Sequence, residues 1–149
     1  MIKIVRTTLE DIPRIVPLFG GYRQFYRAEP DAPAQQKFLE DRLSKEQSVI
    51  FIAQDESGTA IGFTQLFPSF SSVTMAPIWI LNDLFVDPST RGTGAGRALL
   101  ERARDWAIET GAVRLELATE VTNEHAQAVY KACGWERNTT FYHYSLSVQ

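Results

Sequence analysis

The chain has 149 residues, of which 44% are apolar and 22% charged, and its formal net charge is −3. This length is enough for one domain and short for two, and the composition argues against an intrinsically disordered chain. The acidic balance argues against a nucleic-acid binder, and a single cysteine, Cys133, excludes a disulfide scaffold. Glycine, proline and hydroxyl residues interrupt the longest uncharged run, residues 57–82, so no membrane span is expected. With one thiol and no secretory leader, we expect a cytoplasmic protein.

In chain order, the first half predicts a strand, two helices and a hairpin. Residues 2–6 alternate as a short strand, and a capping-box-like sequence at Thr8 begins the first helix. We expect Pro17 to kink this helix and the pair Gly20-Gly21 to end or bend it. The second helix and the two strands of the hairpin are predicted at 33–47, 49–54 and 60–67.

The second half has a different pattern, which predicts a parallel βαβ unit. Residues 78–86 form a strand with apolar residues on both faces, as in a central strand that is covered on both sides. A helix over 93–110 leads to another strand over 113–118, and such a crossover is right-handed. A helix over 123–132 and a final strand over 141–148 complete the chain. The expected fold is mixed α/β with one central sheet.

A glycine-rich loop, Arg91-Gly92-Thr93-Gly94-Ala95-Gly96-Arg97, joins the central strand to its helix. Glycines let a ligand approach the backbone closely, and the N-terminus of the following helix favours an anion. The two flanking arginines can add charge-assisted hydrogen bonds to a phosphate. Arg97 stands where both a Walker motif and a dinucleotide fingerprint require a glycine. We therefore predict a phosphate-binding loop of another kind, with a tight turn and solvated arginines as the alternative.

Two motifs carry a family resemblance. The pattern Arg91-x-x-Gly94-x-Gly96 resembles the [QR]-x-x-G-x-[GA] pyrophosphate loop of the GNAT acyltransferases. Downstream, Asn123-x-x-Ala126-x-x-x-Tyr130-x-x-x-Gly134-Trp135 is similar to a second signature of that family. The resemblance covers the whole chain and is strongest over 78–135. More narrowly, the segments 22–26, 67–72 and 141–144 resemble the branch named after fungal histone and D-amino-acid acetyltransferases.

The resemblance implies a single N-acetyltransferase domain over 1–149, with a mixed twisted sheet that splays at the cofactor site and about four flanking helices. It implies acetyl-CoA as cosubstrate, no metal and a homodimer. Backbone groups of Leu84, Phe85 and Val86 would hold the pantetheine arm. The pyrophosphate would lie against the loop residues Arg91, Gly92, Thr93, Gly94, Ala95, Gly96 and Arg97. Asn123, Ala126 and Tyr130 would complete the cofactor site.

Within this resemblance, Tyr130 is the predicted general acid that protonates the leaving thiolate. Asn123, Ala126 and Tyr130 share one face of a helix because they are spaced 0, 3 and 7. A phenol with a pKa of about 10 can protonate a thiolate whose conjugate acid has a pKa of about 8.5. The alternatives are an aromatic anchor for Tyr130 and a helix N-cap for Asn123.

Two carboxylates are candidate general bases, Asp83 and Glu116. In polyamine-acetylating relatives a glutamate precedes the aspartate, whereas this chain has Asn82 there. Because Asn82-Asp83 is the only polar break in a nine-residue strand, we expect a β-bulge or an active-site edge at this point. Glu116 is equally well explained as the cross-strand partner of a nearby arginine.

The acceptor side is predicted between the first two helices, and Asn82 and Asp83 are assigned to it as well. The resemblance places Tyr22, Arg23, Phe25 and Tyr26 there. An arginine among aromatic rings could clamp a substrate carboxylate, or it could be ordinary packing. His125 and His143 are too few for a metal site, and Cys133 is expected to be buried filler.

The leading hypothesis is therefore an acetyl-CoA-dependent N-acetyltransferase that acts on a primary amine of a small molecule. A protein or peptide acetyltransferase, acting on lysine or an N-terminus, is a second enzymatic hypothesis. A non-catalytic acyl-CoA sensor is a third, from another class. The aromatic residues of the last predicted strand, Phe141, Tyr142 and Tyr144, suggest a surface for a homodimer.

Overall fold

The computed structural model describes all of residues 1–149, which divide into two compact units, Met1–Ala118 and Thr119–Gln149. The strands are all in the first unit: β1 (Lys3–Arg6), β2 (Val49–Gln54), β3 (Ala60–Ser71), β4 (Ala76–Val86) and β5 (Leu115–Glu116). The helices are α1 (Ile12–Phe25), α2 (Ala32–Ser44) and α3 (Ala95–Glu109) in the first unit and α4 (Glu124–Ala132) in the second. None of these helices combines the length and apolar character needed to cross a bilayer.

The five strands form one sheet in the order β1-β2-β3-β4-β5. The first four strands pair antiparallel, and β5 pairs parallel to β4. The β4–α3–β5 segment is therefore the parallel βαβ unit that the sequence predicted. The mixed α/β fold with one central sheet and four helices is confirmed.

The helices of the first unit cover both faces of the sheet. Ile50 and Ile52 of β2 pack with α1 and α2 in one buried core. Phe51, between them, contacts Trp106 and Arg102 of α3. Because successive residues of a strand point to opposite faces, α1 and α2 lie on one face and α3 on the other.

The pair Gly20-Gly21 does not end α1, since the helix continues to Phe25. A Cβ atom added to Gly21 would lie 2.7 Å from Cζ of Phe85 in β4. Glycine at this position therefore lets α1 approach the ring of Phe85 closely. The glycine pair reflects helix–sheet packing and not a helix boundary.

Two strand predictions at the end of the chain need correction. Of the segment 113–118, only Leu115–Glu116 pairs with β4. The predicted last strand over 141–148 is not a strand, and its residues are exposed. A run of β-favouring residues becomes a strand only where a neighbouring strand can accept its backbone hydrogen bonds, and no ladder is formed here.

Candidate active site

The loop 91–97 follows β4 through a short turn, Pro88–Thr90, and leads directly into α3. Gly92 and Gly94 have φ angles of 85° and 86°, in the left-handed region that favours glycine. A Cβ at either position would meet nothing within 4 Å, so the loop opens to free space. Gly94 is the N-cap of α3, and no side chain caps this end of the helix. The first N–H groups of α3 are thus available to an anion.

Both arginines of the loop are exposed. Nε of Arg97 lies 3.1 Å from Oε1 of Glu101, one turn along α3. Exposed ion pairs of this kind contribute little free energy, so a phosphate can compete with Glu101 for the guanidinium. The glycines, the uncapped helix end and the two arginines fit a pyrophosphate group.

One edge of β4 is unpaired where it approaches the loop. The parallel pairing with β5 covers only Trp79 and Ile80, whereas β4 continues to Val86. The opposite edge is paired with β3 through this stretch, and Leu84 pairs with Thr64. Backbone groups on the unpaired edge, including those of Leu84 to Val86, can bind an extended ligand in the manner of an added strand. The resemblance implies a sheet that splays at the cofactor site, and the short pairing of β4 with β5 leaves an open edge where that site is expected.

A β-bulge interrupts β4 beside this open edge. Gln65 of β3 pairs with Asp83 and Leu66 pairs with Leu81, which leaves Asn82 as the extra residue. Asn82 is exposed, whereas Asp83 is only 1% exposed. The polar pair thus has the bulge that we considered in the sequence, and the bulge turns one side chain outward and the other inward.

The carboxyl group of Asp83 is held by two amides. Nε2 of Gln65 donates to Oδ2 at 2.6 Å, and Nδ2 of Asn82 donates to Oδ1 at 2.7 Å. The backbone carbonyl of Asp83 accepts a hydrogen bond from Thr64 Oγ1 at 2.8 Å. Burial raises the pKa of Asp83 above its ordinary value, and the hydrogen bonds from Asn82, Gln65 and Tyr22 oppose this shift only in part.

Tyr22 connects the first helix to the bulge. Its hydroxyl donates to the carbonyl oxygen of Asn82 at 3.0 Å. The ring of Tyr26 lies 5.1 Å from that of Tyr22, and Phe25 lies 5.1 Å from Tyr26. Of the predicted acceptor residues, the structure therefore brings Tyr22, Phe25 and Tyr26 together beside Asn82.

Arg23 has a different environment. Its Nη1 atom donates to the carbonyl of Glu29 at 2.7 Å and to Oε1 of Gln35 at 3.0 Å. Gln35 is buried, and its Nε2 donates to the carbonyl of Val16. These contacts tie the connection between α1 and α2 to the body of α1.

Glu116 is exposed, and its Oε2 lies 2.6 Å from Nε of Arg114. The arginine partner that we considered is therefore two residues away in the same segment and not across the sheet. Glu116 pairs in register with Ile80, three residues before Asp83 on β4. Of the two candidate bases, only Asp83 belongs to the bulge.

The second signature motif lies in the second unit, around α4. Oδ1 of Asn123 accepts a hydrogen bond from the backbone of Ala126 at 3.2 Å, so Asn123 is an N-cap. Gly134 has a φ of 91°, and Trp135 N donates to the carbonyl of Tyr130 at 3.0 Å. The rings of Tyr130 and Trp135 are 6.2 Å apart. Asn123 thus caps the beginning of α4, and Gly134 ends the helix in a left-handed turn. Trp135 packs against the ring of Tyr130.

Two residues that hydrogen-bond to Asp83, Thr64 and Gln65, were not predicted as site residues from the sequence. Both are fully buried in β3. A threonine and a glutamine side by side inside an apolar strand were the available signal, because buried polar side chains need partners. What the sequence could not show is which group they bind.

Comparison with known proteins decides the family. The model of the acetyltransferase (GNAT) family matches residues 15–135. The chain belongs to the GNAT family. A Bacillus subtilis (strain 168) protein named "Uncharacterized N-acetyltransferase YhfO" is 50% identical over 138 residues, which is 93% of this chain and 92% of the relative. With this family and this relative, the protein is an N-acetyltransferase.

Solved structures agree with the GNAT fold. A crystal structure of a probable acetyltransferase is similar with a TM-score of 0.93 and 41% identity, covering 99% of this chain and 98% of the other. The aminoglycoside N-acetyltransferase AAC(6')-Iy, solved in complex with CoA, has a TM-score of 0.82 over 98% of this chain and 95% of its own. At 22% identity, the latter supports the fold alone.

The fungal branch has narrower support. The D-amino-acid N-acetyltransferase HPA3 of Saccharomyces cerevisiae (strain ATCC 204508 / S288c) is 30% identical over 87 residues, which is 58% of this chain and 54% of that protein. Membership of the GNAT family is therefore established over most of the chain, and the resemblance to that branch over part of it.

Proposed function

We propose that this GNAT enzyme transfers the acetyl group of acetyl-CoA directly to the primary amine of a small molecule. The observation that carries the proposal is the continuity between the open loop 91–97 and the unpaired edge of β4. An ester of pyrophosphate with an extended, amide-containing arm matches this pair of features. The CoA complex of AAC(6')-Iy is consistent with it at the level of the fold.

In this proposal, the backbone of Gly92 to Gly96, the N-terminus of α3 and the two arginines bind the pyrophosphate. The backbone of Leu84, Phe85 and Val86 binds the pantetheine arm by strand-like hydrogen bonds. Acetyl-CoA supplies an activated thioester. The side chains of the enzyme then have two tasks, to remove a proton from the amine and to donate one to the leaving sulfur.

Tyr130 is our candidate for the second task. The support is the family signature together with the half-buried ring that Trp135 holds in place. In the proposed step the hydroxyl of Tyr130 donates its proton to the sulfur as the carbon–sulfur bond breaks. A neutral phenol is available at pH 7 because the pKa of tyrosine is about 10.

Asp83 is our candidate for the first task. An alkylammonium acceptor is almost fully protonated at pH 7, so a base must take its proton before the nitrogen can attack. A carboxylate whose pKa is raised by burial is a stronger base than an exposed one. Glu116 is exposed and paired with Arg114, which favours Asp83. Since Asp83 is buried, we propose that a water molecule carries the proton to it.

The acceptor is proposed to lie against the aromatic side chains of α1, near Asn82. The faces of Tyr22, Phe25 and Tyr26 can attract an ammonium group before it loses its proton. Arg23 contributes by holding the link between α1 and α2, since its Nη1 already binds Glu29 and Gln35. This environment supports a cationic amine in preference to an anionic acceptor.

The test is the release of CoA thiol from acetyl-CoA in the presence of single amines. The panel contains amino acids, polyamines, aminoglycosides and lysine-containing peptides. We expect release with at least one small amine and formation of its N-acetyl product by mass spectrometry. Release with peptides only would show a peptide acetyltransferase, and binding of acetyl-CoA without release for any amine would show a sensor. Either result contradicts the proposal.

We also propose a cytoplasmic homodimer. The single cysteine suits a reducing compartment. The segment 141–148 exposes five large apolar side chains, Phe141, Tyr142, Tyr144, Leu146 and Val148, each at least 70% exposed. Exposed apolar groups in such number favour association with another surface, and a second copy of the chain is the partner we propose.

A further inference from the structure

We propose that Gln65 is a positioning residue that sets the proton affinity of the Asp83 carboxyl during acetyl transfer. This inference rests on the proposed role of Asp83 as the base. Gln65 comes from β3 and Asp83 from β4, and they are directly opposite each other in the sheet. Both side chains are buried, and Nε2 of Gln65 lies 2.6 Å from Oδ2 of Asp83.

A buried base has to be stabilised in two protonation states. As a carboxylate it needs hydrogen-bond donors, and as a carboxylic acid it needs an acceptor for its own proton. Gln65 can serve both states, because its amide carries a donor and an acceptor on one planar group. Nε2 already donates to the carboxyl of Asp83.

The proposed acceptor role explains why the oxygen of the Gln65 amide has no partner in this structure. Oε1 of Gln65 is buried and has no hydrogen-bond partner, which is costly for an amide oxygen. When Asp83 gains a proton, rotation of the amide by half a turn brings Oε1 toward Oδ2 as the acceptor of the new O–H. The unpaired oxygen is thus explained as the partner of the protonated state.

Other groups around the carboxyl do not compete with this role. Asn82 donates from its own strand, and Tyr22 contributes a hydroxyl from α1. β3 has no charged residue at all, and Arg14 and Arg23 of α1 bind other partners. On α3, Arg97 and Arg102 pair with glutamates of their own helix, and Glu116 of β5 pairs with Arg114. Tyr22, whose hydroxyl donates to the neighbouring carbonyl of Asn82, is therefore the one titratable side chain that contributes to the environment of this carboxyl.

The experiment compares Gln65→Met with Thr64→Val. Met keeps the length of the side chain but carries no donor and only a weakly accepting sulfur, so both protonation states of Asp83 lose a partner. The charge-assisted bond to the carboxylate is the stronger of the two, so its loss dominates and the carboxyl holds its proton more tightly. Thr64→Val removes the bond to the backbone carbonyl of Asp83 in the same buried strand and leaves the carboxyl untouched. Gln65→Leu provides a second apolar variant, and the rise in Tm caused by acetyl-CoA confirms that each variant is folded.

Two readouts are needed. The titration of the Asp83 carboxyl carbon is followed by NMR, with the signal assigned by its loss in Asp83→Asn. The acidic limb of the pH profile of kcat/KM is measured with the best amine of the panel. We expect both midpoints to move upward by about one pH unit in Gln65→Met, as for the loss of one hydrogen bond to a charged group, and neither to move in Thr64→Val.

An unchanged NMR midpoint in both Gln65 variants would overturn the inference while leaving Asp83 as the candidate base. A midpoint that moves by NMR but not in the pH profile would show that Asp83 is not the base. That second result overturns the positioning role of Gln65 together with the assignment of Asp83.

Discussion

At the scale of single residues, the two side chains that we propose as acid and base have very different surroundings. Tyr130 belongs to a short helix of the second unit and is held by Trp135. Asp83 belongs to the central sheet of the first unit and is held by two amides. Each can be tested by a substitution that keeps the shape of the side chain and changes one function of it.

Replacement of Tyr130 by Phe removes only the hydroxyl. If that hydroxyl protonates the leaving thiolate, kcat falls by roughly 10²–10³, the usual contribution of general acid catalysis. The KM for acetyl-CoA stays within a few-fold, because the ring remains in place. Steady-state kinetics and thermal melting check this together. Full activity, or a loss of activity with a collapsed Tm, would show that Tyr130 is not the acid.

Replacement of Asp83 by Asn tests the raised pKa through stability. Burial raises the pKa of Asp83 above 3.8, so between the two pKa values the folded protein binds a proton that the unfolded chain has released. The stability that this proton binding contributes is complete below the unfolded pKa and is lost as pH rises through the folded pKa. The free energy of unfolding of the wild type should therefore fall relative to that of Asp83→Asn as pH rises from about 4 to 7. Urea denaturation at several pH values measures the difference, and an opposite slope would contradict the direction of the shift.

At the scale of secondary-structure elements, a residue in the left-handed conformation lies at the N-cap of α3 and just after the end of each of the four helices. Left-handed residues follow each helix: Arg27, Glu46, Gly111 and Gly134. In each case the next residue donates to a carbonyl five positions back, as in a Schellman motif. Two of these positions are glycine and two are not, so the helix ends differ in conformational strain.

Glu46→Gly should stabilise the protein. Glu46 has a φ of 54° after α2, which costs an L-residue roughly 1 kcal/mol relative to glycine. The unfolded glycine gains entropy, so we expect a net stabilisation of about 0.5 kcal/mol. Gly111→Ala makes the reverse change after α3, where a Cβ would meet nothing within 4 Å, and should destabilise by a similar amount or more. Thermal or chemical denaturation of the two variants checks both signs.

Gly94→Glu should remove the effect of acetyl-CoA on stability. Acetyl-CoA at a hundredfold excess over Kd stabilises the wild type by about 2.7 kcal/mol, and ATP or NAD should raise Tm much less. The glutamate places a side chain and a negative charge at the N-cap of α3, where we propose that the pyrophosphate binds.

Gly111→Glu is the matched control for this loop variant. It introduces the same residue at a left-handed position of the same helix, at the opposite end and in open space. The rise in Tm caused by acetyl-CoA should survive in the control and disappear in Gly94→Glu. An unchanged Kd in Gly94→Glu would show that the loop is only a turn, and equal shifts with ATP would contradict a site built for CoA.

At the scale of the whole molecule, we expect the exposed apolar segment 141–148 to contact a second copy of the chain. We expect light scattering at micromolar concentration to give a particle of twice 16.8 kDa. The double variant Tyr142→Asp/Tyr144→Asp should dissociate it, because two buried charges oppose an apolar interface. Val73→Asp, at an equally exposed apolar position between β3 and β4, is the control and should remain dimeric. A particle of 16.8 kDa for the wild type refutes the dimer.

The sequence by itself determined the features whose physics is local. The glycines and arginines of 91–97, the amphipathic helices and the signature from Asn123 to Trp135 each depend on residues within one continuous segment. Helix caps and left-handed turns are recognised from the residue types that favour them, and the structure shows Asn123 and Gly134 in those positions. The parallel βαβ unit was predicted for the same reason, since its elements follow one another in the chain.

Only the tertiary structure decided which distant groups meet. Gln65 binds Asp83 across 18 residues of sequence, and Tyr22 binds Asn82 across 60. The register of β3 against β4 places the bulge at Asn82. The segment 141–148 does not form a strand, because its backbone pairs with no neighbouring strand. A pattern of residue types indicates what a segment favours, but a hydrogen bond between strands or to a buried carboxylate needs a partner that the chain brings close only by folding.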